Sequence, residues 1–357
     1  MTKFFRSNPS APLMASSIAL IFIAICLVIF VLNQGRAIFI PFIIAVFIWY
    51  LINAIARALG LLKIGGKQLP RFFRFLCGII AICALLGGIG TLVGRNIADV
   101  IEAAPHYQDN FEPIIQKVML WLNLDHQPTF EEIGSYLDLG KIITFMAQSF
   151  TGIAGKSLVI VFYTGFLLYE QKYFNRKIIN MISDQSTEDH VRAIIQKIDV
   201  RIQRYIGIKS LVSAFDSVLT YLILSSFGVD FAEFWGVMAF FLHFIPYAGS
   251  FIAITLPSTI ALIQFGDPLM GALVLGALCI SHAFLASILE PILMGRNLNL
   301  SPIFIISSLA MWGMVWGVPG MFLAVPILAI IMITLSQFPK TRPIAILISK
   351  TGVLKEN

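Results

Sequence analysis

Four residues of this chain have a type and setting that could do chemistry: Asp216, His243, His282 and Glu290. Each lies inside or at the end of a long apolar run. An ionisable group is costly there and marks an ion or solute path by default. Asp216 sits in the middle of the run 206–227, as a coupling-ion or proton site or as the structural partner of a buried donor. Glu290 ends a run just before Pro291, as a pore-lining acid or as an interfacial residue held by Arg296. His243 and His282 read either as a relay or as hydrogen-bonded structure. No metal set or cofactor site is read from these residues. The cysteines Cys26, Cys77, Cys83 and Cys279 form no CxxC pair and lie in apolar runs, which argues against disulfide and zinc frameworks.

The elements that must position these groups follow from composition. Of 357 residues, 58% are hydrophobic and 12% charged, with a mean hydropathy of +0.87. A soluble domain carries about a quarter charged residues. Residues 210–339 contain only Asp216, Asp230, Glu233, Asp267, Glu290 and Arg296 as charges. Such a stretch cannot form a water-facing surface, which excludes a soluble enzyme, a secreted disulfide module and a disordered chain. Apolar runs of about 20 residues predict an all-α polytopic membrane protein rather than a barrel. The net charge of +6 is then the excess of basic residues on cytoplasmic loops, not a nucleic-acid footprint.

Full spans are expected at 13–32, 38–56, 72–94, 152–169, 206–227 and 269–289. The first lacks a cleavage site after Asn33-Gln34-Gly35-Arg36 and is expected to be retained. Loop charges set the orientation. Residues 57–74 carry five bases and no acid, 95–149 carry eight acids against three bases, and 171–209 carry eight bases against four acids. The alternation places both termini in the cytoplasm. The organisation expected is a three-span region 1–94, a polar extracytoplasmic helical segment 95–149, a span with a cytoplasmic amphipathic helix 150–205, a transport core 206–338 and a tail 339–357. Within 186–206, Val191, Ile194, Ile195, Ile198, Ile202 and Tyr205 form an apolar stripe, with Ser186 and Asp189 at capping-box spacing.

Two long stretches, 231–266 and 302–338, are broken by Pro246-Tyr247-Ala248-Gly249-Ser250 and by Trp316-Gly317-Val318-Pro319-Gly320. Read as re-entrant hairpins, each has arms of about 16 residues, roughly 24 Å, short of the hydrocarbon core of about 30 Å. The alternative is eight full spans, with each stretch a single long helix. The hairpin reading leaves Arg296 inside, as its charge prefers, and gives two broken elements of opposite orientation, the mark of inverted-repeat transporters. Gly249-Ser-Phe-Ile-Ala and Gly320-Met-Phe-Leu-Ala, followed by Pro257 and Pro326, hint at an internal repeat. The freed backbone groups at these breaks point to a permeation path.

Catalytic motifs are missing. Gly155-Lys156-Ser157 mimics the end of a P-loop without its first glycine, and neither HExxH nor GxSxG occurs. The run Glu290-Pro-Ile-Leu-Met-Gly-Arg-Asn-Leu-Asn-Leu-Ser-Pro302, with Trp312-Gly313, Trp316-Gly317, Gly320–Pro326 and Phe244-Ile-Pro-Tyr-Ala-Gly-Ser250, resembles the autoinducer-2 exporter family of bacterial inner-membrane proteins. The resemblance implies export of a small polar solute, autoinducer-2 being the family's namesake. It also implies assembly as a homo-oligomer. Some members resemble sodium-or-lithium/proton antiporters. The family motif marks Pro246, Gly249, Glu290, Pro291, Gly295, Asn299, Pro302, Gly317, Gly320 and Pro326. The expectation is therefore a non-enzymatic secondary transporter in the lipid bilayer, driven by H+ or Na+. Asp216 and Glu290 would carry the ion, and Pro246, Gly249, Ser250, Pro257, Gly317, Pro319, Gly320 and Pro326 would shape the gate. The alternatives are a monovalent-cation/proton antiporter and a membrane scaffold that transports nothing.

Overall fold

The apolar runs fold as helices because a backbone in lipid must satisfy its own N–H and C=O groups. The computed structural model describes residues 11–61, 63–64, 67–84, 87–88, 91, 156–181, 185–294 and 299–354. Helices α1 (Ala11–Gln34) and α2 (Arg36–Leu61) precede a small antiparallel ribbon, β1 (Lys63–Ile64) with β2 (Lys67–Gln68), and helix α3 over 71–84. The chain resumes with α4 (Ser157–Met181), α5 (Gln185–Ser226), α6 (Ala232–Leu242) and α7 (Ala248–Phe265). Helix α8 (Pro268–Phe284) runs through a π turn (Leu285–Leu289) into α9 (Glu290–Met294). Then come α10 (Pro302–Trp316), α11 (Val318–Ser336) and α12 (Arg342–Ile348). The polar segment 95–149 lies outside the described residues.

Among the described residues, five helical stretches are long and apolar enough to cross a membrane: Arg36–Gly60, Val191–Ser226, Ala248–Phe265, Pro268–Met294 and Val318–Ser336. Large apolar side chains face outward along them and along α4 and α10, among them Leu158, Phe162, Ile280 and Met314. Lipid is the solvent that such a surface suits.

The amphipathic segment 186–206 and the run 206–227 are not separate elements. They form the single 42-residue helix α5, about 63 Å long. It starts at Gln185, so Ser186 falls inside its first turn rather than at its cap. No proline or glycine pair interrupts the junction, and the apolar stripe passes into the span without a break. Toward its start, Ile202, Tyr205 and Ile206 pack with Val325, Leu328, Ala329 and Met332 of α11. Toward its end, Leu224 packs with Trp235 and Met238 of α6, Ala253 and Ile260 of α7, and Leu278 of α8. Helix α5 thus ties together the two broken stretches.

Each broken stretch is two helices folded on each other. In the first, Gln264 near the end of α7 returns to its start: its amide donates to Gly228 O at 2.8 Å and accepts from Asp230 N–H at 2.7 Å. In the second, Ser308 of α10 donates to Ala324 O of α11 at 3.0 Å. Its base is closed by the tail: Leu300 bridges Ser349, Ser301 N–H donates to Ile348 O, and Lys350 N–H donates to Asn299 O. The arms are unequal, 11 and 18 residues in the first hairpin and 15 and 19 in the second, instead of the expected 16 each. Helix α6 is short because Pro246 offers no N–H and its ring disfavours helical geometry at Ile245.

Each hairpin packs a glycine of its second arm against the first arm. A Cβ at Gly249 would collide with the carbonyl of Leu242, and one at Gly320 with the carbonyl of Trp312. The equivalent positions give the faint sequence repeat a structural counterpart, with Pro257 and Pro326 buried farther along the second arms. The hairpins meet at the first tip: Phe244 stacks on Phe322 of α11 at 4.4 Å, and Phe47 of α2 packs edge-on to both.

Candidate functional site

Helix α5 carries a stripe of buried polar residues through an otherwise apolar segment. Lys209, Ser213, Asp216 and Thr220 lie at i, i+4, i+7 and i+11, one helical face. Ser213, Asp216 and Thr220 are 0% exposed and Lys209 is 5% exposed. A polar face buried to this degree needs polar partners from its neighbours.

For Lys209 and Asp216 those partners come from three other elements. His243 follows the end of α6, and His282 lies in the last turn of α8. Glu290 follows the π turn. Eight residues of regular α-helix would rotate Glu290 about 80° away from His282. The wider π turn takes back roughly one residue of rotation, so that both side chains face the same partners. The result is a chain of five ionisable groups. Lys209 Nζ donates to Glu290 Oε1 at 2.8 Å. Glu290 Oε2 is 3.5 Å from His243 Nε2. His243 Nδ1 is 3.2 Å from Asp216 Oδ2, and Asp216 Oδ1 is 3.3 Å from His282 Nε2. Only the first of these contacts is a well-aligned hydrogen bond. Among the described residues, both Asp216 oxygens and all four imidazole nitrogens are buried with no aligned partner.

All four residues singled out from the sequence therefore come together. Glu290 is held by Lys209; Arg296, its partner in one of the two readings, and Gly295 lie outside the described residues. Lys209, counted with the cytoplasmic loop bases, is instead a buried member of the site. Its signal in the sequence was the polar stripe at helical spacing from 209 to 220. Asp216, His243 and His282, far apart in sequence, also offer ligand atoms all within 4.8 Å of one another.

A cavity of about 1750 Å³ reaches this chain and is lined by Lys209, His243, His282 and Glu290. Pro246, Tyr247 and Ser250 of the first hairpin tip also line it, as does Asn299 beside the second hairpin. Elsewhere the wall carries Lys197, Arg201, Arg342 and Lys350, and Glu290 is its one acid among the described residues. The remaining motif residues shape the backbone. Pro302 and Pro319 open α10 and α11, and Pro291 sits in the first turn of α9. Gly317 takes a φ of 65° at the second tip. Asn299, with φ 43°, donates from Nδ2 to Val353 O at 3.0 Å. A large cavity that ends on buried charges inside an apolar helix bundle has the features of a solute pathway.

The chain is similar over most of its length to proteins named for transport. It is 27% identical to the AI-2 transport protein TqsA of Escherichia coli (strain K12) over 324 residues, covering 87% of this chain and 89% of the relative. It is 27% identical to the candidate transport protein YhhT of the same organism over 276 residues, 76% of each chain. A candidate transport protein of Haemophilus influenzae is 25% identical over 336 residues, 91% of this chain and 94% of the relative. The profile of the AI-2E family transporters matches residues 18–340. With nearly the whole chain covered, this multi-pass membrane protein belongs to the AI-2E transporter family.

Proposed function

We propose that the chain is a secondary transporter that exports a small polar solute across the bacterial inner membrane at the expense of an ion gradient. The observation that carries this reading is the continuity between the cavity and the buried chain Lys209–Glu290–His243–Asp216–His282. Solute and ion would meet there. Lys197, Arg201, Arg342 and Lys350 wall the cavity and belong to basic segments that charge asymmetry assigns to the cytoplasm. The cavity is then the cytoplasmic entrance, and loading from inside is the first step of export. A wall with one acid and several bases favours an oxygen-rich polar solute.

The two hairpins supply the moving parts. The first tip brings His243 to the acids of α5 and α9, so displacing that tip breaks the ionic chain and alters the cavity wall in one motion. Asp216 binds the coupling ion, and Glu290 is held ready by Lys209. A relative named for AI-2 transport makes an autoinducer-2-like signal the first solute to try. A sodium-or-lithium/proton antiporter is the second reading, favoured by the complete burial of Asp216 among ionisable groups.

Reconstitution into proteoliposomes tests both. Counterflow of a small polar signal, dependent on an imposed ion gradient, is expected for the wild type and is abolished in Asp216→Asn. Unchanged coupling in that variant refutes the role of Asp216. Cation-driven pH change with no solute counterflow replaces the export reading with the antiporter.

A further inference from the structure

The Asp216 carboxylate presents one oxygen to each of two imidazoles, at 3.2 Å and 3.3 Å, and neither contact is an aligned hydrogen bond. Glu290 stands on the far side of His243, its carboxylate 3.5 Å from Nε2. Nδ1 of His243, Nε2 of His282 and the Asp216 carboxylate thus converge in a buried site with no aligned partner among the described residues, a set of ligand atoms that a cation can join.

Spacing and ligand type say which cation. Two ligands held about 2.0–2.1 Å from one tetrahedral ion lie roughly 3.3 Å apart. Asp216 stands at about that distance from each histidine, through a different oxygen for each, and the three residues offer ligand atoms all within 4.8 Å of one another. Imidazole nitrogen suits zinc, cobalt, nickel and copper, whereas magnesium, calcium and the alkali ions take oxygen ligands. The surroundings fit as well. A metal-bound histidine usually turns its other ring nitrogen to a carboxylate that fixes its orientation. Glu290 stands in that place, and Lys209 holds Glu290 at 2.8 Å. His243 and His282 also line the cavity, which supplies an entry path and leaves an open coordination position facing the solute space.

We infer that Asp216, His243 and His282 bind one divalent first-row transition ion of the Zn2+ or Co2+ class, with Glu290 as the outer partner of His243. The inference rests on reading the buried chain as the transporter's ion site and names the ion that site selects. A bound ion would fasten the first hairpin tip to α5 and α8 and offer its open position to an oxygen of the solute.

The test uses the full chain in detergent micelles, freed of any polyhistidine tag, stripped with a chelator and titrated with Co2+. One equivalent is expected to bind with the intense visible absorption of four-coordinate cobalt, and Zn2+ is expected to displace it. Asp216→Asn, His243→Gln and His282→Gln should each weaken binding roughly 100-fold or more, and Glu290→Gln about 10- to 100-fold. His190→Gln, elsewhere on α5, should leave the titration unchanged. His282→Cys guards against variants that merely misfold, since it keeps a ligand and should add a thiolate-to-cobalt charge-transfer band. Absence of a one-equivalent cobalt spectrum in the wild type overturns the inference, as does its survival in the Asp216→Asn, His243→Gln and His282→Gln variants. So does a His282→Cys protein that binds cobalt without the new band. Failure to bind cobalt alongside Asp216-dependent counterflow removes the metal and leaves the transporter. Cobalt binding with neither counterflow nor cation exchange does the reverse.

Discussion

The first hairpin, α6–α7, and the second, α10–α11, share a construction and differ in what occupies the tip. In each, a break separates two helices, a glycine at the start of the second arm lies against a carbonyl of the first, and a buried proline follows. The first tip carries His243 in an ionic chain, and Tyr247 turns the backbone with φ 62° and ψ −62°. Ala248 N–H donates to Pro246 O at 2.7 Å around it, making a γ-turn of the rare, strained hand. The second tip turns on Gly317, whose φ of 65° and ψ of −142° suit glycine. Trp316 Nε1 there donates to the Leu32 carbonyl of α1 at 3.0 Å. One scaffold thus carries a charged, strained tip and a neutral, relaxed one. The difference marks the first hairpin as the one whose tip stores backbone strain beside ionisable groups and the second as its uncharged counterpart.

Stability of the detergent-solubilised protein sharpens that comparison most at Lys209. Lys209→Met leaves the partly buried Glu290 without its cation and should cost about 3 kcal/mol. Lys209→Met combined with Glu290→Met should recover most of the loss, because a buried pair can be replaced by apolar side chains at little cost. Within the second hairpin, Ser308→Ala removes one neutral hydrogen bond and should cost about 1 kcal/mol. Equal losses at the two sites would erase the distinction between the ionic chain that the first tip enters and the neutral contact inside the second hairpin.

Gly249→Ala and Gly320→Ala test what the hairpins share. Each new methyl meets a backbone carbonyl that cannot swing aside, so both variants should lose about 3 kcal/mol and melt at lower temperature. A large loss at one position only would show that the two turns are not equivalent. The smallest effects are expected at the tips and should have opposite signs. Gly317→Ala places a side chain at a glycine-only conformation and should cost about 1–3 kcal/mol. Tyr247→Gly relieves strain of similar size and adds the unfolded-state entropy of glycine, for a net gain of about 1 kcal/mol. Counterflow by Tyr247→Gly should slow even as its melting temperature rises.

Much of this was legible without coordinates. The breaks at Pro246 and Gly317 are local events, set by a missing N–H and a missing Cβ. Asp216, His243, His282 and Glu290 stood out because each is ionisable in apolar surroundings. Lys209 did not, because it closes a run of basic residues and was read with them as a loop charge. The continuity of α5 hid it further: a helix of 42 residues leaves no boundary between loop and span. The unequal hairpin arms were also out of reach: Pro246 and Gly317 fix where the turns fall, but where the outer end of each arm lies depends on packing.

The sequence by itself determined that the chain is a helical membrane protein, where its helices break and which charges are out of place in lipid. Those properties follow from the transfer of each residue between water and hydrocarbon and from the local geometry of proline and glycine. Only the tertiary structure decided that Lys209, Asp216, His243, His282 and Glu290 form one chain. Their pairing depends on the rotation of α5, on a π turn that swings Glu290 back toward His282, and on a hairpin that carries His243 between two acids. Such alignments arise from packing between elements far apart in sequence, so no run of neighbouring residues encodes them.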